Sequence, residues 1–358
     1  MKSIKITSIL IASLFLLSSC SQPDIKDSID NTNQTDITNS DEKHNTDNSE
    51  TVVTTVNPRD EQKVYSAKLH KVNDITEYNG DELSLTMSVE NDGDAFTQAF
   101  FLYVNGQINE YSTDEFPDKS TYHIYDLPED GTKEITLHFT PYNCKKGEKA
   151  IISLVSMITP DYTLEDMSYA NFGLHHNIAR PWPFEISINQ DSPESPYNKI
   201  SQERETVEIS EEYAKEQNYT SLNNVTTFRM YQTDPLENYM TAENTLTFDI
   251  TAAGKEERDS GKYLVGIYIN HELQKAFGDN YYALCDADGE HEVKITANID
   301  VTGLSGLNHI YMVAAPYDPN DVEFGVAPEK TATKLLFVGS EEEMQEYSPI
   351  EQVKKPLA

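Results

Sequence analysis

Short runs in which apolar and polar residues alternate recur along the chain from about residue 63 onward. Leu83/Leu85/Met87, Ile135/Leu137/Phe139 and Phe184/Ile186/Ile188 place large apolar side chains at every second position. That is the period of a strand buried on one face. Asn105-Gly106 and Asp130-Gly131 border such runs, and glycine there admits the positive φ of a tight hairpin turn. A sustained 3.6-residue period is missing, so the pattern predicts an all-β protein built from antiparallel sheets. Tyrosine is abundant at 21 residues, in keeping with the preference of aromatic and β-branched residues for strands.

The alternating runs occur twice. Leu83 to Met87 is answered by Leu246 to Ile250, and Phe101-Leu102-Tyr103-Val104-Asn105 by Gly266-Ile267-Tyr268-Ile269-Asn270. Asp130-Gly131 with Glu134 to Leu137 returns as Asp288-Gly289 with Glu292 to Ile295. Met157 to Pro160 parallels Val313 to Pro316, and Phe172-Gly173-Leu174 parallels Phe324-Gly325-Val326. The offsets between the copies fall in order from 163–165 down to 152. Such a drift is expected when insertions and deletions sit in loops.

With about seven or eight strands per copy, each copy resembles the immunoglobulin-like class of β-sandwich in size and strand spacing. The resemblance implies two tandem antiparallel β-sandwich domains, 63–191 and 218–340. The Cys…Trp…Cys core of antibody domains is absent. A Pro/Ser/Asp break at Asp191 to Ser195 opens an inter-domain linker, 192–217, in which Ser210 is placed to cap a short helix. The acidic tail, 341–358, reads as flexible.

Ahead of the repeats, Lys2 and Lys5 precede an apolar run from Ile9 to Leu17, then Ser18, Ser19 and Cys20. The run is too short to span a bilayer. The segment resembles a bacterial lipoprotein signal peptide, 1–19, with its lipobox. The resemblance implies cleavage before Cys20, acyl chains of the palmitate type on that residue, and attachment to the extracytoplasmic face of the cell membrane. From Ser21 to about Asp60 the chain is mostly Asn, Thr, Asp and Ser, a composition that cannot offset its ordering entropy. Residues 20–62 are therefore expected to form a disordered stalk averaging about 35 Å end to end.

Acidic residues outnumber basic ones 61 to 27, a net charge of −34. Such a field argues against nucleic acid, which requires basic patches. Cys144 and Cys285 fall at non-corresponding places in the two copies, so two unbridged thiols are expected and no zinc spacing is formed. His271-Glu272 begins like a zinc-protease helix, but position 275 is Lys and the local pattern is strand. Asp286-Ala287-Asp288-Gly289 lacks the alternating ligands of a calcium loop. No elbow, phosphate loop or dinucleotide fingerprint occurs, and neither a cofactor nor a metal ligand is expected.

The richest loop lies between the Pro160 strand end and the Phe184 strand. It holds His175, His176, Arg180 and Trp182, none repeated in the second copy. Long loops often carry function, and Trp and Arg serve as binding anchors. Adjacent histidines in a strand face opposite ways, which makes them a poor pair of ligands for one ion. The sequence thus predicts a lipid-anchored surface protein that binds or scaffolds an envelope protein, peptide or glycan without catalysis. The alternative is an envelope enzyme or accessory subunit whose site the sequence hides.

Overall fold

A computed structural model describes residues 50–53, 66–165, 167, 172–173, 175–178, 182–197, 199–200, 205–210, 227–233, 237–253, 261–287, 291–317 and 328–347. The signal-peptide region, Cys20 and most of the stalk lie outside them, as does the stretch after Ser210 expected to be helical. Residues 48–358 form one compact unit.

In the first copy, one sheet runs β1 (Glu50–Val53), β2 (Ser66–Lys71), β4 (Leu83–Asn91), β9 (Gly131–Phe139), β7 (Ser112–Thr113). The other runs β3 (Glu77–Tyr78), β11 (Trp182–Ile188), β10 (Lys149–Ile158), β5 (Phe96–Val104), β6 (Gln107–Asn109), with β8 (Tyr122–Leu127) also on β5. The order β2-β4-β9-β7 facing β11-β10-β5 is the ABED/GFC arrangement of an immunoglobulin-like sandwich. The second copy repeats it except at one edge, which a strand of the preceding linker fills. Its outer sheet is β13 (Glu205–Glu208), β20 (His291–Asp300), β16 (Thr245–Ala253), β14 (Thr227–Tyr231). Its inner sheet is β12 (Lys199–Ile200), β19 (Tyr282–Ala287), β17 (Gly261–Ile269), β21 (Gly306–Pro316), β23 (Lys334–Val338), β15 (Tyr239–Ala242). Two short strands attach to it: β18 (Glu272–Leu273) to β17, and β22 (Glu329–Lys330) to β21. In both copies a short strand, β3 or β15, lies parallel to the last strand of the sandwich.

The period-two pattern places the cores. Leu85, Met87, Ile135, Leu137, Phe139, Ile186 and Ile188 fill the first sandwich, as Leu246, Phe248, Ile250, Ile295 and Ile310 fill the second. Burying each such side chain contributes about 1.5–3 kcal/mol. Cys144 and Cys285 are both buried and are not bridged to each other. Burial pushes the Cys144 thiol up to about 11. The linker contributes structure to the second copy, because β12 pairs with β19 and β13 with β20. In the tail, Glu341–Tyr347 is a helix, α1. Ser340 Oγ accepts from the Glu343 amide at 3.3 Å while Glu343 accepts from the Ser340 amide at 2.8 Å, a capping box that starts it.

Strands β5 and β10, in the middle of their sheet, are buried on both faces. Their second face meets β17, β19 and β21 of the other copy. Ala99, Phe101, Tyr103, Val155 and Met157 join Leu264, Tyr268, Tyr282, Tyr311 and Val313 in one apolar cluster. At its centre Tyr103 Oη lies 3.1 Å from Tyr268 Oη, 165 residues away. These are equivalent residues of the two copies, and equivalents touch only beside a two-fold axis. The seam is therefore arranged as the isologous interface of a dimer joined in one chain. Pairing also corrects one sequence match. Asn105 takes the Ile151 carbonyl as Asn270 takes that of His309, so Met157 corresponds to Ala315 and not to Val313. A slip of two residues keeps the same face inward, which is why the alternating pattern alone did not reveal it.

Candidate functional site

The approximate symmetry of the seam is broken at matched positions. On β17, Gly266 faces Tyr282 of β19; on β5, Phe101 faces Tyr122 of β8. A Cβ on Gly266 would sit 2.8 Å from the Tyr282 ring. Because glycine leaves that space, Tyr282 is fully buried and its hydroxyl accepts from the Ile108 amide at 2.9 Å. Phe101 instead stacks on Tyr122 at 5.5 Å and leaves that ring half-buried. Beside it a cleft of about 490 Å³ opens along the seam. Tyr122, Tyr197 and Tyr281 line it together with Glu110, Glu272 and Lys119. Tyr197 and Tyr281 meet edge to face at 5.2 Å, and the Tyr197 hydroxyl donates to Glu110 at 3.0 Å. Burial and the neighbouring Glu110 raise the Tyr197 pKa, so the phenol stays a neutral donor. The cleft offers aromatic faces, hydroxyls and carboxylates in one place.

The loop singled out in the sequence goes elsewhere. Phe172 and Leu164 of the first copy cluster with Leu335 of the second, with Tyr162, Met167 and Leu307 packed against them. The Met167 amide donates to the Tyr347 carbonyl of α1 at 2.9 Å. His175 is buried, 2.6 Å from Thr159 Oγ1 and stacked on Tyr162 at 3.6 Å. His176 is fully buried. The two residues sit in a turn and not in a strand, with His176 at φ of 62°, and Tyr162 touches both: its ring stacks on His175 and its carbonyl accepts from His176. Neither lies on an open contact surface. Arg180 lies outside the described residues. Trp182 begins β11 opposite Leu154, and its side chain lies outside them also.

His176 meets two histidines of the second copy. Its ring lies 4.5 Å from that of His309 and 5.0 Å from that of His271, which are themselves 4.3 Å apart. All three are at least nine-tenths buried. His271 Nε2 donates to the Pro160 carbonyl at 2.6 Å, leaving Nδ1 to accept from the Tyr311 hydroxyl at 3.1 Å. His176 Nε2 donates to the Tyr162 carbonyl at 2.9 Å, and among the described residues its Nδ1 has no hydrogen-bond partner. Among them His309 Nε2 has none either. Burial pushes His271 down to about 4 and His309 to about 3, and holds His176 below both. The Lys330 ammonium adds to the shift on all three. Sequence reasoning named His176 as a binding residue and set His271 aside with the zinc-protease spacing that His271-Glu272 fails to complete. His309 sits in an apolar strand and His271 in a hairpin, 95 or more residues from His176, and no local spacing connects them.

No protein-family model and no curated protein matches the chain. Among solved structures, a protein of unknown function from Porphyromonas gingivalis W83 is 10% identical, covering 75% of this chain and 99% of its own, at a TM-score of 0.22. The C-terminal domain of the AgI/II polypeptide BspA from Streptococcus agalactiae is 7% identical, with 75% and 99% covered and a TM-score of 0.22. A DUF4466 family protein from Parabacteroides merdae is 8% identical, with 76% and 99% covered and a TM-score of 0.19. The class of this chain is defined by its own strand order, a fused pair of immunoglobulin-like sandwiches with an aromatic cleft on their seam.

Proposed function

We propose that this chain is a lipid-anchored, extracytoplasmic binding protein that takes a neutral glycan of the envelope in the seam cleft. The observation that carries the reading is the grouping of Tyr122, Tyr197 and Tyr281 with Glu110 and Glu272 in one open cleft. Ring faces stack on the apolar faces of sugars, while carboxylates and hydroxyls exchange hydrogen bonds with sugar hydroxyls. The lipobox-like Leu17-Ser18-Ser19-Cys20 supports the anchor, and the polar stretch after it supports a stalk that holds the sandwiches away from the membrane. No helix among the described residues is long and apolar enough to cross a membrane.

Two measurements test the reading. A panel of envelope polysaccharides and peptides is titrated against the chain and against Tyr281→Ala. Glycan binding weakened roughly 3- to 10-fold by loss of one stacking ring supports it, and binding of peptides alone overturns the glycan assignment. Cys20→Ala is expected to move the protein from the membrane to the soluble fraction. A variant that stays with the membrane after a high-salt wash removes the lipid anchor from the proposal.

A further inference from the structure

We propose that His176, His271 and His309 form a metal site for a zinc-class divalent transition ion, and that the ion clamps the two sandwiches together. One ligand comes from the first copy and two from the second, and one nitrogen from each ring falls within 4.8 Å of the other two. Imidazole nitrogens suit zinc, copper, nickel and cobalt far better than calcium or magnesium.

Three observations converge on the site. His176 and His271 each donate Nε2–H to a backbone carbonyl. That hydrogen bond fixes metal-binding histidines in position and turns the opposite lone pair inward. Among the described residues, His176 Nδ1 and His309 Nε2 are buried without a hydrogen-bond partner, a costly state for polar atoms unless a ligand occupies them. Finally, His176 and His271 hold φ at 62° and 69°, a left-handed conformation that is unfavourable for a residue with a side chain. At the hairpin position equivalent to His271 the first copy has Gly106, with φ of 79°. The second copy thus carries an imidazole where glycine would be easier.

A tetrahedral ion with nitrogens at about 2.0–2.1 Å sets them about 3.4 Å apart, so loading draws the rings together and takes His271 Nδ1 from Tyr311. Lys330 opposes a cation. Its ammonium donates to Thr333 Oγ1 at 2.7 Å and lies 4.5 Å from the centre of the Tyr311 ring. Burial has already pushed it down to about 7. A tetrahedral ion would take its fourth ligand from solvent.

The full chain, without a histidine tag and stripped with EDTA, is titrated with Co²⁺ and Zn²⁺. The expected result is one equivalent bound, a visible Co²⁺ spectrum of four-coordinate type, and a higher melting temperature with Zn²⁺. His176→Gln and His309→Gln should each lower affinity about 100-fold or more, whereas His70→Gln and His138→Gln, away from the cluster, should not. X-ray absorption of the zinc-loaded wild-type chain gives a readout that does not depend on any variant folding, and it should show three imidazoles. No binding by the stripped chain, an imidazole count below three, or binding retained in His176→Gln and His309→Gln would overturn the proposal.

Discussion

Each copy sends one hairpin tip to the far end of its neighbour's central strand, and the two encounters differ. In the first copy the tip is Asn105-Gly106. A Cβ on Gly106 would sit 2.3 Å from the Pro316 carbonyl oxygen, so only glycine lets the two backbones approach this closely. In the second copy the tip is Asn270-His271, and the imidazole spans the larger gap to Pro160. The same contrast recurs at Gly266 with Tyr282 and Phe101 with Tyr122. Where glycine stands the seam closes and a tyrosine is buried. Where a ring stands Tyr122 stays half-buried on the cleft, and the buried histidine cluster packs beside it. The two sides of the seam thus differ: one is closed by packing, and the other carries the polar groups.

The largest test removes the axis that both sides share. Tyr268→Ala takes a fully buried ring and the Tyr103 hydrogen bond from the centre of the seam, and is expected to cost about 3–5 kcal/mol in denaturant unfolding. A loss below about 1 kcal/mol would mean the copies do not depend on each other.

Acid should act on the histidine side selectively. The folded pKa values of about 4 for His271 and about 3 for His309 lie below the ordinary value near 6.5. The unfolded chain therefore takes up protons that the folded chain refuses. The stability they contribute is fully present above pH about 6.5 and is lost as pH falls toward about 4, by about 1.4 kcal/mol per pH unit for each histidine. Unfolding curves between pH 7 and 5 should show the slope, and His309→Gln should reduce it by one group's share. An unchanged slope in that variant would remove His309 from the titrating set.

Gly106→Ala tests the closed side. With φ of 79° and a backbone oxygen in the way, it should cost about 1–3 kcal/mol, measurable as a lower melting temperature. The smallest effect is expected at the support of the open side, where α1 receives the Met167 amide. Ser340→Ala deletes half of the capping box and should cost about 1 kcal/mol. Hydrogen exchange should quicken in α1 and at Met167 while the Gly106 hairpin stays unchanged.

Much of the architecture was legible in sequence because strands report themselves locally. The alternation in Leu83/Leu85/Met87 and the recurrence of Tyr-Val-Asn as Tyr-Ile-Asn led to the right class and to the equivalence of the copies. The capping box Ser340-Glu341-Glu342-Glu343 was equally local and was overlooked in a tail read as flexible. The loop at His175 and His176 stood out because it does not repeat, yet its residues turned inward. Composition marks a loop as unusual without saying whether it faces solvent or a second sheet.

What the sequence by itself determined is the part set by neighbours along the chain: period-two strands, glycine turns, the duplication, and the acidic charge. What only the tertiary structure decided is how the two copies face each other. Strands β5 and β10 are apolar on both faces, which a sequence reports equally for a core strand of any sheet. Which second surface covers them depends on contacts between residues some 100–200 positions apart. Tyr103 meeting its own equivalent, the cleft beside Tyr122, and three histidines converging from separate elements all follow from that one packing choice. Side-chain period is a property of one strand, whereas a shared face is a property of two.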